Sequence, residues 1–115
     1  MGIVSTATDK NQNCIDSCNR CAQACMECMD LCLKEPDVSA RKECITTLNE
    51  CAYICKEASS FMYMNTKHAT DLCKPCETIC NECAQECSMF KDTHCQKCAA
   101  ECKSCADECR TMAGM

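Results

Sequence analysis

Large apolar side chains are scarce in this chain of 115 residues. There is no tryptophan, and the only aromatic residues apart from histidine are Tyr53, Phe61, Tyr63 and Phe90. Leucine, isoleucine, valine and phenylalanine number four, five, two and two, a share low enough that a chain without another source of burial is expected to be disordered. Glycine and proline occur twice each, so no glycine-rich phosphate loop can be written. There is no Ser/His/Asp set and no carboxylate pair in an apolar setting, which leaves enzyme chemistry little to stand on. The net charge of −5 is spread without runs. With no basic patch and few rings to stack on bases, nucleic acid is excluded as a natural partner. No apolar run approaches membrane-spanning length. The first residues, MGIVSTATDKNQN, carry neither a basic start nor an apolar stretch, so no secretory signal is expected. Gly2 and Thr6 fit a loose lipid-acceptor pattern, but a disordered lead-in over residues 1–10 is the simpler reading.

What the chain does have is nineteen cysteines. Cys14, Cys18, Cys21, Cys25, Cys28 and Cys32 are spaced 4, 3, 4, 3, 4. That is the rhythm of the buried stripe of a helix in a bundle, where leucine normally sits. The pattern CxxCxxxCxxCxxxC occurs from Cys18 to Cys32. It recurs at Cys73, Cys76, Cys80, Cys83 and Cys87, and again at Cys95, Cys98, Cys102, Cys105 and Cys109. Free cysteine buries readily as a small hydrophobe. Either the thiols are the core, or there is no core.

Periodicity and turn signals predict four helices in one domain spanning 11–115, over about 11–33, 38–62, 66–89 and 94–112. Asn11 or Asn13 can cap the first, Asp37 or Ser39 the second, and Asp92 or Thr93 the fourth. Pro36 ends the first helix. Pro75 falls inside the third, where it predicts a kink or a late start near Lys74. The second helix carries only Cys44, Cys51 and Cys55, and its remaining stripe positions are Leu48, Ala58 and Met62. It is the same seam with three thiols replaced by apolar residues. Four amphipathic helices with short connections close most simply as an all-α, antiparallel up-down-up-down four-helix bundle with a cysteine-lined core.

Several chemistries could use such a seam. Neighbours three or four apart on a helix hold their Cβ atoms about 5–6 Å apart, too far for an unstrained disulfide, which wants about 3.5–4.5 Å. An odd cysteine count would also leave one thiol over. No cysteine precedes proline, so the bacterial ferredoxin run is absent, and an iron–sulfur electron-transfer protein is a weaker alternative. Thioredoxin-like chemistry lacks its βαβ setting. Zinc or cadmium sequestration, as in a metallothionein, remains a competitor. However, several tetrathiolate sites in one narrow core would bury two net negative charges each. Cu(I) fits on three counts. It is soft and prefers thiolate. Two or three ligands suffice for it, so adjacent seam thiols can hold it. It is also monovalent, so a one-to-one column with bridging thiolates is neutral and can be buried without the usual charge penalty. All nineteen cysteines are therefore candidate ligands for many Cu(I) ions.

These arrays, the cysteine-poor second helix and the DTHCQKCAAEC opening of the fourth make the chain resemble the bacterial four-helix-bundle copper storage proteins, in their cytosolic branch. The resemblance covers about Cys14 to Met112. It implies Cu(I) storage inside the bundle, a cytoplasmic location and association of bundles into a homotetramer. Members of that branch often carry several histidines ahead of the fourth helix; here only His94 stands there.

His94 is therefore a candidate loose ligand at the point of entry. One bundle end gathers Ala58, Met62, Thr66 and Ala69, with Phe61 close by, and reads as plugged. The other gathers Cys32, Cys87 and Cys95 beside His94 and reads as the door. The alternative entry runs past Met62, Met112 and His68. His68 itself reads as a surface histidine, most methionines as packing, and Glu27, Glu50, Glu82, Glu101 and Glu108 as a solvated face. Ile15, Met26, Met29, Ile45, Ile54 and Ile79 read as apolar residues on outer faces, some of them available to an oligomer interface.

Overall fold

The computed structural model describes residues 11–114; the lead-in, with the Gly2/Thr6 pattern, lies outside them. The described residues form four α-helices: α1 (Gln12–Leu33), α2 (Lys42–Tyr63), α3 (Cys73–Ser88) and α4 (Thr93–Ala113). A single 3-10 turn, Val38–Arg41, precedes α2. The helices pack as a ring in chain order, with α1 on α2 and α4, and α3 on α2 and α4. This is the antiparallel bundle the periodicity predicts, narrow and long at 47 × 23 × 17 Å.

The boundaries differ from the sequence expectation in two places. The second helix was expected from Val38, but its first four residues take the tighter 3-10 form, and regular α geometry begins at Lys42. The third was expected from Thr66. Residues 66–72 instead run through successive turns, with the amide N–H of Ala69 bonded to the carbonyl of Thr66, that of Asp71 to His68 and that of Cys73 to Thr70. Regular helix starts at Cys73. Pro75 is the cause: it has no N–H, and its ring would collide with the carbonyl four residues back, at Asp71. Placed in the first turn, its missing donor is one that no helix satisfies internally. Of the two outcomes Pro75 allowed, the late start is the one found.

The expected cap residues take cap positions without capping. Asn11, Asp37 and Asp92 precede α1, the 3-10 turn and α4, and none makes a side-chain cap bond. Asp37 and Asp92 turn their carboxylates elsewhere, as described below.

All nineteen cysteines are buried. On α2, Leu48, Ala58 and Met62 lie in the same core, as their register predicts. Of the expected outer apolar set, Ile15 is buried, and Met29, Ile45, Ile54 and Ile79 pack partly buried against the core. Only Met26 of that set is truly exposed; among the described residues the other large exposed apolar residues are Leu31, Leu33, Tyr53, Tyr63, Met64 and Met89. A four-helix ring with small cysteine side chains at its centre draws flanking isoleucines into the helix interfaces.

Candidate metal centre

The four stripes bring their sulfur atoms into one column along the bundle axis. From the end where α1 begins, Cys14 and Cys18 each lie 3.8 Å from Cys109, and Cys18 is 3.7 Å from Cys105. Cys55 links Cys105 at 3.9 Å, Cys76 at 3.8 Å and Cys80 at 3.6 Å. Cys51 joins Cys80 at 3.7 Å and Cys21 at 3.8 Å. Cys102 sits 3.7 Å from Cys21 and 3.8 Å from Cys25, and Cys25 is 4.0 Å from Cys83. At the far end Cys44 meets Cys87 at 3.9 Å, while Cys28, Cys32 and Cys95 lie 3.7–4.0 Å apart.

These separations are too long for any S–S bond, which is about 2.05 Å, and every cysteine is free. They are close to what a metal ion needs. With a metal–sulfur bond near 2.3 Å, two sulfurs flanking one ion stand at most about 4.6 Å apart. Two pairs, Cys28–Cys32 and Cys76–Cys80, lie along one helix. Most of the short separations cross between helices, more than the seam on any single helix predicts.

Five groups hold donor atoms all within 4.8 Å of one another. They are Cys18/Cys76/Cys105/Cys109, Cys21/Cys55/Cys80/Cys105, Cys21/Cys25/Cys51/Cys102, Cys28/Cys87/Cys98 and Cys28/Cys32/His94/Cys95. Because Cys21, Cys28 and Cys105 each belong to two groups, neighbouring sites would share ligands. Cys14, Cys44, Cys73 and Cys83 stand outside these groups. Three of them still touch another sulfur of the column, and Cys73 lies 3.9 Å from the sulfur of Met62.

The two ends differ. Where α1 begins, Met62 and Met112 are buried in the core and Leu72 packs against it, while Ala69 is buried in the turn segment before α3. Of the turns at 66–72, set by Pro75, Leu72 is the residue packed against the core. His68 is exposed there and bonds Asp71 at 2.6 Å through Nδ1. At the other end His94 is partly buried, with Nε2 3.7 Å from the Cys32 sulfur and 4.0 Å from Asp92. It also lines an open groove of about 340 Å³ between α1 and α4, together with Cys98, Leu31 and Lys97.

One residue at this end was missed by sequence reading. Arg41 is only 4 % exposed. Its Nε donates to Asp37 at 2.7 Å and its Nη1 to Asp92 at 2.5 Å. The same Nη1 lies 3.6 Å from the sulfurs of both Cys32 and Cys95, and the guanidinium rests 4.6 Å over the ring of Phe90. Asp92, first, and then Asp37 raise the Arg41 pKa further, so it stays charged. In turn Arg41 holds the Asp92 carboxyl below its ordinary value. The one available signal was an arginine three residues before Cys44 on the stripe. Burial, then the neighbouring thiol of Cys32, pushes the Cys95 thiol up to about 12, so without metal it is a neutral thiol. A metal ion binding there displaces its proton.

No described helix is long and apolar enough to cross a membrane. The sequence model of a family described as copper storage protein matches residues 7–114. A cytosolic copper storage protein of Streptomyces lividans, in a structure with five coppers, is 34 % identical. That alignment covers 89 % of this chain and 90 % of the other, at a TM-score of 0.85. The same organism's protein loaded with 10 copper equivalents is 32 % identical over 100 % of this chain and 92 % of its own, at 0.88. The apo form of copper storage protein 3 from Bacillus subtilis is 37 % identical over 90 % and 98 %, at 0.84. No curated protein sequence matches the chain significantly.

Proposed function

The chain belongs to the copper storage protein family, and from that premise we propose that it stores and buffers Cu(I) in the cytoplasm, with its core thiolates as ligands and His94 at the door. The observation that carries this reading is the column itself: nineteen buried, unbonded cysteines whose sulfurs approach one another at 3.6–4.0 Å along the bundle. Soft thiolate donors select Cu(I). Each ion that enters replaces one thiol proton, so a one-to-one array of bridging thiolates remains neutral, and many ions fit in a core that could not hold many net charges. The bundle is a store and not an enzyme.

His94 supports the door at its end of the column. An imidazole nitrogen is a weaker partner for Cu(I) than a pair of thiolates, so it can accept an ion and pass it inward. At the methionine-covered end the donor in contact with the column is the Met62 thioether, 3.9 Å from Cys73, and it is buried, whereas His94 is partly exposed. The family relationship, and the exposed side chains of Leu33, Tyr53, Tyr63 and Met89, support a homo-oligomer, which we take to be a tetramer.

Titration of fully reduced protein against a competing Cu(I) chelator tests the storage reading. One-to-one bridging predicts saturation at roughly 15–20 ions per chain. Saturation at four or five ions would instead mean one closed tetrahedral site per sulfur group, as zinc prefers, and would overturn the column.

A further inference from the structure

Among the described residues, the contacts that column thiols make are to other sulfurs, with three exceptions outside the core chemistry of the column: His94, Asp92 and Arg41, all at one end. Arg41 alone of these is a permanent cation. Arginine is rarely this buried without partners, and here the partners are fully specified. Nε is held by Asp37, Nη1 by Asp92, and the flat face by Phe90. With both tethers made, Nη1 lies equally far, at 3.6 Å, from the Cys32 and Cys95 sulfurs. Those sulfurs are 3.7 Å apart. The guanidinium therefore caps the outermost thiol pair, beside the imidazole that would hand an ion to it.

We propose that Arg41 is a latch on the copper door, a positioning residue that closes the column over Cys32 and Cys95 and must swing away for Cu(I) to enter or leave. An incoming Cu(I) ion meets a like charge within contact distance of the two sulfurs it needs, and in a poorly solvated end that repulsion is weakly screened. The two tethers differ in depth. The Asp92 side chain is 28 % exposed and lies inward, against Cys95 and His94. The Asp37 side chain is 52 % exposed, on the turn outside the bundle. Breaking the Asp92 bond while keeping that to Asp37 leaves the guanidinium paired and partly solvated, so Arg41 has an outer berth without becoming an unpaired buried charge. Asp92 is then free to face His94, whose Nε2 is 4.0 Å away.

The inference rests on the His94 end being the door, and the test separates the two. Loading from a Cu(I)–chelator buffer, and release to excess chelator, are followed in the full-length oligomer for Arg41→Met, Arg41→Lys, Asp92→Asn and His94→Ala. Methionine keeps an apolar stem on Phe90 and removes the charge. Arg41→Met is expected to load and release about tenfold faster at unchanged capacity, a change of about 1.4 kcal/mol in barrier. Arg41→Lys keeps the charge but cannot span both carboxylates and both sulfurs, and falls between. The Asp92 side of the pair is 28 % exposed, so added salt weakens it in part and is expected to speed the parent protein modestly while leaving Arg41→Met unchanged, a response that a purely structural arginine would not produce. Asp92→Asn cuts the inner tether alone and is expected to load faster too, which keeps the idea testable if Arg41→Met folds poorly. If His94→Ala is slow while Arg41→Met and Asp92→Asn load at the parental rate or below it, the door stands and the latch falls. If all the variants load at the parental rate, the door lies elsewhere and both readings fall.

Discussion

At the residue scale, His94 and Met62 mark opposite ends of the same sulfur column. Each stands within 4 Å of a terminal thiol, His94 by Cys32 and Met62 by Cys73. They differ in access, since His94 is partly exposed and Met62 is 3 % exposed. Substituting each in turn decides between them. His94→Ala is expected to slow copper loading severalfold at unchanged capacity, while Met62→Leu, close in volume, leaves the rate alone. Stopped-flow loading from a chelated Cu(I) donor reads the difference; a slowed methionine variant beside a normal histidine variant would place the door at the other end. His68, the alternative histidine, is occupied with Asp71 in an exposed pair that touches no thiol.

At the element scale, α3 is the odd helix, with 16 residues against 22, 22 and 21 for the others. Its five thiols, Cys73 to Cys87, span a shorter stretch of the axis than the six of α1 from Cys14 to Cys32, and the level of Cys32 is met by Cys95 of α4 instead. The turn segment that replaces its missing turns buries Ala69 and packs Leu72 against the core. Pro75 enforces this start but loses no helical hydrogen bond by it, since the first α-type bond runs from Cys76 to Leu72. Pro75→Ala is therefore expected to change apo-protein stability by less than about 1 kcal/mol, measured by urea unfolding. It should also permit α-helix to creep backward toward Thr66, visible as new amide protection at residues 69–72. A loss of several kcal/mol would mean that the proline braces the end of the bundle directly.

At the scale of the whole molecule, the thiols pack as small hydrophobes in a closed ring of helices, so the fold is expected to form without metal. Metal-free, fully reduced protein should give a helical circular dichroism spectrum at neutral pH; a coil spectrum would make copper part of the folding reaction, as zinc is in zinc fingers. The same burial sets the pH dependence. Cys95 is raised from 9.0 to about 12 in the folded chain. Between those values the unfolded state has lost a proton that the folded state keeps, so folding stability falls as pH rises. The contribution is intact below pH 9 and is lost through about 12. The Asp92 carboxyl, lowered by Arg41, works in the opposite sense: its contribution is present above the ordinary carboxylate range and is lost as pH falls through its lowered pKa. Apo protein is thus expected to lose denaturant resistance from pH 9 upward, while copper-loaded protein, its thiolates already deprotonated, does not. Light scattering at micromolar concentration addresses assembly: a tetramer mass is expected, and a monomer mass would refute the oligomer.

Most of the bundle was legible in the order of residues. Spacing alone put Cys14 through Cys109 on four inward stripes and placed Leu48, Ala58 and Met62 on the same seam, because a 3.6-residue period leaves a helix only one face to bury. The chemistry followed from composition, since a core with almost nothing but sulfur can serve few purposes other than holding a soft metal. What periodicity cannot contain is which stripe positions meet across helices, and that is where most of the short sulfur separations lie. It also could not say that Ile15 turns inward, or that the segment before Pro75 folds as turns. Arg41 is the sharpest case. Its burial depends on Asp37 in one connection, Asp92 and Phe90 at another, and two sulfurs on α1 and α4, partners up to 54 residues apart in the chain. Local sequence predicts for those two aspartates a helix cap; only the assembled bundle sets a fixed positive charge between them, and the stronger, charge-assisted bond takes the carboxylates instead.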